Sequence, residues 1–423
     1  MPGPSVGQPA RQTQRAASRR PRGYEGKLIL VLFITWGLVF LDRMAPLYLG
    51  PFLAKDFHLN AGQIGAISAA LSLAWGVSSY LFAMVSDRFG RRVVLLPSVF
   101  ILSILSWVTG VVSNFAQMVT VRAAMGIAEG PASNLLVAIP SEEAPPEHRG
   151  RDVGLVQSAA GLVGLAVAPV LVTQIAAHFG WRPAFFIIAI PGIIMGLILL
   201  FFLREPEKFE REGRVRPDYG EVFRHRNMWL AMLGTIGFNT WLIVLNTFAP
   251  LYLTAVDKMA PTTMGFVMTF IGLSGFLWGF GVPWISDRIG RKSAVVIFAL
   301  ASLAVVLSML VVRSATPLSI IGLILAAGQG LAPLLMVVIP SETVSPGVVA
   351  TAVGITQFFG ELIGSTGITY LAGVLANQYG LAVPLWIAAG GAALVVVASL
   401  FMQETAPALR ARAREVSPST AHD

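Results

Sequence analysis

The sequence predicts an all-α membrane protein with twelve transmembrane helices in two six-helix bundles, and three observations lead to this prediction. Of the 423 residues, 55% are hydrophobic and 12% are charged, and the mean hydropathy is +0.72. Soluble domains carry about 25% charged residues. Apolar runs of about 20 residues recur along the whole chain, and each is long enough to cross a hydrocarbon core of about 30 Å. The third observation is an internal repeat.

The repeat is centred on a short polar stretch that lies between two apolar runs. Ser-Asp-Arg-Phe-Gly-Arg-Arg at 86–92 returns as Ser-Asp-Arg-Ile-Gly-Arg-Lys at 286–292, with an offset of 200 residues. At the same offset, Ile-Pro-Ser-Glu at 139–142 returns at 339–342. The chain is therefore one unit of about 200 residues duplicated in parallel, and each copy is expected to form one bundle.

The polar segments divide the chain. Residues 1–26 are rich in Pro, Gly, Gln and Arg without apolar periodicity, so we expect a disordered cytoplasmic tail. The charged stretch 204–226 is expected to be a cytoplasmic linker with one short helix, and 404–423 to be a second tail. The N-terminal bundle then covers 27–203 and the C-terminal bundle 227–403. The helices are expected at 28–50, 62–85, 93–114, 117–140, 152–177 and 183–203, and then at 228–253, 262–285, 293–312, 317–340, 348–375 and 381–402.

The orientation follows from the positions of the 30 Lys and Arg residues. With the N-terminus inside, most of them fall in the tails, the linker and the loops on one side, whereas the other side holds Lys55, Arg182, Lys258 and Arg313. We therefore expect a multi-pass protein of the inner (plasma) membrane with both termini cytoplasmic. The basic tails would face anionic lipid of the bilayer, so the net charge of +8 requires no nucleic-acid partner.

Several classes of protein are excluded by what the sequence lacks. It contains no cysteine, which excludes disulfides and thiolate metal sites. Its histidines have no metal-ligand spacing and it has no P-loop, so we expect no metal, no cofactor and no ATP-driven transport. An enzyme would need paired catalytic groups near the membrane interface, and a receptor or scaffold would need a sizeable soluble domain. The sequence shows neither feature, so neither class of protein is expected. Because one chain supplies both bundles, a monomer is expected.

The repeated loop combines a carboxylate, a glycine and basic residues at a helix–loop–helix corner. The aspartate can cap a helix N-terminus or pair with an arginine, and the glycine permits a tight reversal. A positive-inside turn without further role is one interpretation, but recurrence at equivalent places favours a hinge or latch between bundles. The predicted gating residues are Asp87, Arg88, Gly90 and Arg91 in the first copy and Asp287, Arg288, Gly290 and Arg291 in the second.

The pattern D-R-x-G-R-[RK] lies between the second and third predicted helices and again between the eighth and ninth. In this respect the chain resembles the major facilitator superfamily, and the resemblance covers residues 28–402. It implies two six-helix bundles around a central cavity that work by alternating access. An axis along the membrane normal would relate the two halves, in agreement with a parallel duplication.

Five charged residues lie inside predicted helices: Asp42 and Arg43 in the first, Arg122 and Glu129 in the fourth, and Glu361 in the eleventh. A charge at the bilayer centre costs roughly 2.5–3.5 kcal/mol on insertion scales and is usually functional. In each case the other copy of the unit builds the same helix without a charge, so the fold does not require one. The uncharged counterparts are Asn246, Thr247, Gly322, Gln329 and Gly161, respectively.

The spacing of these charges favours a shared site. Arg122 and Glu129 are seven residues apart, which places them on nearly the same face of one helix. Pro46 cannot donate to the carbonyl of Asp42, so the first helix is expected to kink beside the charged pair. A salt-bridge set that only pins two helices, Asp42 with Arg122 or Arg43 with Glu129, is the alternative. It is a weak reason to keep desolvated charges, because apolar replacements are often as stable.

The Asp42-Arg43 pair, Arg122 and the run 126–131 also resemble the anion:cation symporter branch of the superfamily. The resemblance implies that Arg43 and Arg122 bind an organic carboxylate and that Asp42 and Glu129 carry the coupled protons. We hypothesise that the two acids are protonated from outside, which frees the arginines to bind the anion, and that inward opening releases both. The runner-up is a proton-coupled antiporter that exports hydrophobic or drug-like compounds, which two central arginines disfavour.

Weaker signals come from the other polar residues in predicted helices. Gln157, Gln357 and Asn246 either line the cavity as substrate-binding residues or form hydrogen bonds between helices. Glu361 is either a second proton-coupling site or a partner for a central arginine.

Overall fold

We analysed a computed structural model of the chain, which describes residues 23–144, 149–205, 219–407 and 409. Three predicted segments lie partly outside the described residues: 1–22 of the tail predicted at 1–26, 206–218 of the linker and 410–423 of the C-terminal tail. The last three residues of the predicted N-terminal tail belong to the first helix, which begins at Tyr24. The side chain of Asp87 also lies outside this description.

The described part of the chain is helical throughout, and twelve long helices are labelled α1 to α12 in chain order. Eleven of them are long and apolar enough to cross a membrane. The remaining one is α4, in which Arg122 and Glu129 interrupt the apolar sequence. The bounds are α1 Tyr24–Tyr48, α2 Ala61–Phe89, α3 Arg91–Thr109, α4 Phe115–Glu143, α5 Gly150–Phe179, α6 Trp181–Phe202, α7 Arg226–Ala255, α8 Pro261–Ile289, α9 Arg291–Val311, α10 Ala315–Thr343, α11 Val349–Tyr379 and α12 Ala382–Phe401.

Three of the described helices, α5, α10 and α11, contain a π-helical segment, and those of α5 and α11 lie at equivalent places in the repeat. In α5 it covers Ala160–Val167, and in α11 it covers Gly360–Ile368. Each of these two segments packs against a helix of the other bundle, α8 and α2 respectively. Because π-helical segments are frequently found at functional sites, their position marks the bundle interface as the region of interest.

Pro46, which is expected to kink the first helix, and its counterpart Pro250 in the other half have different effects. The helix α1 ends at Tyr48, two residues after Pro46, and a short helix, Gly50–Phe57, follows. In contrast, α7 continues through Pro250 to Ala255.

The bundles touch closely on the side of the membrane opposite the repeated loops, which we call the distal side. There Tyr48 donates to Asn246 Oδ1 at 2.9 Å, and the Gly62 amide donates to Asn377 Oδ1 at 3.3 Å. The helices α5 and α8 approach so closely that a Cβ added to Gly272 would overlap the carbonyl oxygen of Leu165. Small residues permit such close crossings of membrane helices.

Candidate functional site at the bundle interface

Glycines set the position of α4, which carries two of the buried charges. A Cβ added to Gly126 would overlap the Leu71 carbonyl oxygen, and one added to Gly130 would overlap Ser78 Oγ. These two glycines are four residues apart, so they form one strip along α4 that lies directly on α2. Glu129 lies beside this strip, 1% exposed.

The centre of the site is the guanidinium of Arg43, which lies between carboxylates of both bundles. Its Nη1 is 3.3 Å from Glu129 Oε1 on α4, and its Nη2 is 3.4 Å from Glu361 Oε2 on α11. Asn239 on α7 donates to the other oxygen of Glu361 at 3.2 Å. Side chains from α1, α4, α7 and α11 therefore meet at this point. The predicted partner of Arg43, Glu129, is present, and Glu361 adds a second from the other bundle.

Aromatic rings complete the surroundings of Arg43. The guanidinium carbon lies 5.2 Å from the centre of the Trp75 ring and 6.0 Å from that of Phe40. Such contacts stabilise a cation that has lost its water. The side chains of Arg43 and Glu129 are 7% and 1% exposed, whereas that of Glu361 is 12% exposed. The most accessible member of the group thus belongs to the C-terminal bundle.

Arg122 occupies a different environment from that of Arg43. Its guanidinium donates to two backbone carbonyls of α1, that of Arg43 at 2.8 Å and that of Asp42 at 3.4 Å. Pro46 has no N–H to offer the carbonyl of Asp42, four residues earlier, so that acceptor is available. A buried carbonyl without a donor is costly, and Arg122 meets this need. In this structure Arg122 therefore supports the backbone of α1 at the point where Arg43 projects.

Asp42 faces the interior of the N-terminal bundle. Its Oδ1 accepts a hydrogen bond of 2.8 Å from Ser106 on α3. Successive residues of a helix point about 100° apart, which explains why Asp42 and Arg43 reach different neighbours. A cavity of about 20 Å³ between α1, α3 and α6 adjoins Asp42, which is room for about one water molecule.

The three uncharged residues that the sequence predicts as substrate-binding residues lie in different settings. Asn246 is 5% exposed; it accepts from Tyr48 and donates to the Leu242 carbonyl at 2.8 Å, so it belongs to the distal contact between bundles. Gln157 is exposed and Gln357 is half-buried. They precede the π-helical segments of α5 and α11 by three residues each, which keeps their positions equivalent in the two halves.

The two repeated loops have matching ion pairs. Arg91 binds Glu142 on α4 at 2.9 Å and donates to Ser86 Oγ at 2.8 Å. Arg291 binds Glu342 on α10 at 3.0 Å, donates to Ser286 Oγ at 2.6 Å and pairs with Asp287 at 2.5 Å. These contacts fix each loop to a helix of its own bundle.

A glutamate after the last helix of each bundle completes the corner. Glu205 accepts from the backbone N–H groups of Arg91 and Arg92, and Glu404 does the same for Arg291 and Lys292. These carboxylates cap the N-termini of α3 and α9, where the helix dipole favours negative charge.

The glycine of each loop is required by the backbone and by this cap. Gly90 has φ of 110° and Gly290 has φ of 97°, which side chains rarely adopt. A Cβ added to Gly90 would also lie 2.7 Å from Glu205 Oε1. Of the basic residues, Arg288 stacks on Trp284 at 3.4 Å and Arg88 lies 5.3 Å from the Phe89 ring.

Sequence reasoning missed Ser106, Glu205 and Glu404. A serine in an apolar helix gives no signal of its partner, and α3 contains two others, Ser98 and Ser103. The two glutamates do give one, because each stands just after the end of the sixth helix of its half, and comparing the ends of the two copies would have found them. Among the described residues there is no group of three or more His, Asp or Glu side chains that could hold a metal ion.

Comparison with known proteins places this arrangement in context. The sequence model of the Major Facilitator Superfamily matches residues 31–368. A hexuronate transporter of Bacillus subtilis is 26% identical over 63% of this chain and 65% of its own length. A protein called the probable L-galactonate transporter of Escherichia coli is 28% identical over 63% of this chain and 64% of its own length. The chain thus spans just under two thirds of these two relatives.

Other similarities extend over more of the chain. The multidrug resistance protein MdtG of Dickeya zeae is 26% identical over 71% of this chain and 76% of its own length. Among solved structures, the nucleoside transporter NupG superposes with a TM-score of 0.72, at 17% identity, covering 90% of this chain and 100% of the other. That likeness concerns the fold alone.

Proposed function

Because the chain belongs to the Major Facilitator Superfamily and is a membrane transporter, we propose that it carries a small organic anion together with protons by alternating access. Arg43 binds the carboxylate of the substrate, Glu129 is the main proton-coupling residue, and Asp42 and Glu361 take part in proton binding. The repeated loops act as gates on the cytoplasmic side, which also holds both termini. The hexuronate and galactonate transporters among the relatives support an acid as substrate.

One observation carries this proposal: the buried cluster holds more carboxylates than cations. Three carboxylates, of Asp42, Glu129 and Glu361, accompany the two guanidinium groups of Arg43 and Arg122, all in the long helices α1, α4 and α11. With every group ionised the cluster is negative, so an incoming anion meets repulsion in a medium of low dielectric constant. Uptake of a proton by one carboxylate removes that excess and frees one side of Arg43. Coupling anion entry to proton entry follows from this balance.

Proton-driven export of hydrophobic or drug-like compounds is the second candidate. The similarity to MdtG favours it, and an excess of buried carboxylates also accommodates a cation. The two functions differ in the direction in which a proton gradient drives the substrate. With an inward proton gradient, a symporter accumulates substrate inside, whereas an antiporter expels it.

Proteoliposomes with an inward proton gradient test the proposal, with glucuronate as the probe anion. We expect concentrative uptake by the wild type. Glu129→Gln should abolish this uptake while leaving glucuronate exchange partly intact, because the amide no longer exchanges a proton but preserves the shape of the site. The matched control is Asp56→Asn, which removes a carboxylate in the same way from the short helix Gly50–Phe57, where Asp56 is 42% exposed. Concentrative uptake that persists in Glu129→Gln would remove the coupling role of this residue.

A further inference from the structure

We propose that Glu361 is an internal competitor of the substrate. Its carboxylate takes the place on Arg43 that the carboxylate of the transported anion occupies, so the anion must displace it. The inference rests on the proposed anion transport and adds a determinant of affinity within the same site. It assigns to the C-terminal bundle a group that the transported molecule replaces.

The first support is the geometry around Arg43. The guanidinium offers Nη1 to Glu129 and Nη2 to Glu361, at 3.3 and 3.4 Å. Planar guanidinium and carboxylate groups match each other, so any carboxylate substrate that binds Arg43 needs one of these two faces. The face toward Glu129 is buried within the N-terminal bundle, whereas the Glu361 side chain is the most exposed of the three, at 12%. A molecule that enters between the bundles therefore reaches the Glu361 face.

The second support is a hydrogen-bond partner that Glu361 keeps when it leaves Arg43. Asn239, 2% exposed on α7, donates to Glu361 Oε1 at 3.2 Å, on the oxygen that Arg43 does not touch. This hydrogen bond holds the carboxyl group inside the C-terminal bundle after Arg43 has changed partner. Glu361 also lies in the π-helical segment Gly360–Ile368, where backbone geometry differs from that of a regular helix.

The third support comes from the repeat. The position equivalent to Glu361 is Gly161, which lies in the matching π-helical segment Ala160–Val167. A Cβ added there would lie 3.1 Å from the backbone of Phe276 on the opposite bundle. This segment is thus built in the first half without any side chain at this point. The carboxylate in α11 is an addition to the fold.

The charged groups that face Glu361 set the expected dependence on pH. Arg43 on α1 contacts it directly, and Glu129 on α4 shares the same guanidinium. Gly76 on α2 and Asn239 on α7 are the uncharged neighbours. Protonation of either carboxylate releases one face of Arg43, so anion affinity should rise as pH falls.

The test is a binding titration of the purified full-length protein with glucuronate at pH 7.5 and pH 5.5, followed by calorimetry. Glu361→Gln removes the competing charge but keeps the shape and the Asn239 contact. We expect it to bind glucuronate at pH 7.5 about tenfold more tightly than the wild type, equivalent to one displaced charged hydrogen bond. The affinity of the variant should also vary less between the two pH values.

Equal or weaker binding by Glu361→Gln, with wild-type binding intact, would overturn the inference and leave anion transport standing. Absence of glucuronate, galactonate and benzoate binding in both wild type and variant would remove the proposed function, and the inference with it. If Glu361→Gln does not fold, Glu361→Asp takes its place in the binding titration. Its shorter side chain weakens the contact with Arg43, so tighter binding than wild type is again expected, and unchanged binding again contradicts the inference.

Discussion

The two bundles of this protein share one architecture but differ in the chemistry of the helices that meet at the interface. The N-terminal bundle places Asp42, Arg43, Arg122 and Glu129 in α1 and α4, whereas the equivalent helices α7 and α10 are uncharged at these positions. The C-terminal bundle contributes Glu361 and Asn239 instead. The comparison teaches that the repeated scaffold does not require these charges, and that the N-terminal half carries both cations while the C-terminal half contributes Glu361 to the coordination of Arg43.

The same contrast appears in the backbone. The helix α4 is α-helical from Phe115 to Glu143, which keeps Arg122 and Glu129 on one face. Its counterpart α10 is interrupted by 3₁₀ and π segments around Gly328, Gly330 and Pro333. Glycine and proline do not distinguish the two helices, because α4 also contains Gly126, Gly130 and Pro131. The interrupted helix differs in having no counterpart of the charged Arg122 and Glu129. Of these two helices, the one that carries the buried charges is therefore the regular one.

The largest effect is expected from replacing Arg43. Arg43→Gln leaves Glu129 and Glu361 without a cation in a buried setting, and truncating one partner of such a pair costs about 2–5 kcal/mol. Glucuronate uptake into proteoliposomes should fall at least about 100-fold. The matched control is Thr247→Val at the equivalent position of the C-terminal bundle, which should lower uptake less than about tenfold. Similar losses at both positions would contradict the asymmetry between the bundles.

A smaller effect is expected at the contact between Arg122 and α1. Arg122→Gln should lower the free energy of unfolding by about 2 kcal/mol, because the buried carbonyl of Asp42 loses its donor. Pro46→Ala supplies the missing N–H to Asp42, so in that background the cost should drop by about 1 kcal/mol. Denaturant unfolding in detergent measures the four combinations. Pro250→Ala is the control, since the counterpart of Arg122 in the C-terminal bundle is Gly322, which has no side chain to donate, and its cost should simply add to that of Arg122→Gln.

The smallest effect concerns a feature in which the bundles agree. Glu205→Ala and Glu404→Ala each remove a cap from the N-terminus of α3 or α9 and should each cost about 1 kcal/mol of stability. Thermal unfolding followed by circular dichroism checks that the two losses are similar. Gln403→Ala, at the exposed neighbour of Glu404, should change the melting temperature very little. A large loss at one glutamate and none at the other would show that the loops differ in spite of their sequence.

The fold could be predicted almost entirely from the sequence. Long apolar runs and the 200-residue repeat identify twelve helices and their division into halves, because the bilayer leaves few alternatives to a helix. The buried charges were also recognisable, since each has an uncharged counterpart in the repeat. The partners of these charges were harder to predict from the sequence. The sequence left open whether Arg122 pairs with Asp42, and in the structure it binds backbone carbonyls while Asp42 binds Ser106.

By itself the sequence determined which helices carry charge, because hydropathy and internal comparison are local properties of the chain. Only the tertiary structure decided which groups meet. Arg43 and Glu361 are 318 residues apart, and no local pattern encodes that the face of α1 with Arg43 turns toward the other bundle while Asp42 turns away. That outcome depends on the rotation of each helix, which close contacts such as that between α4 and α2 fix.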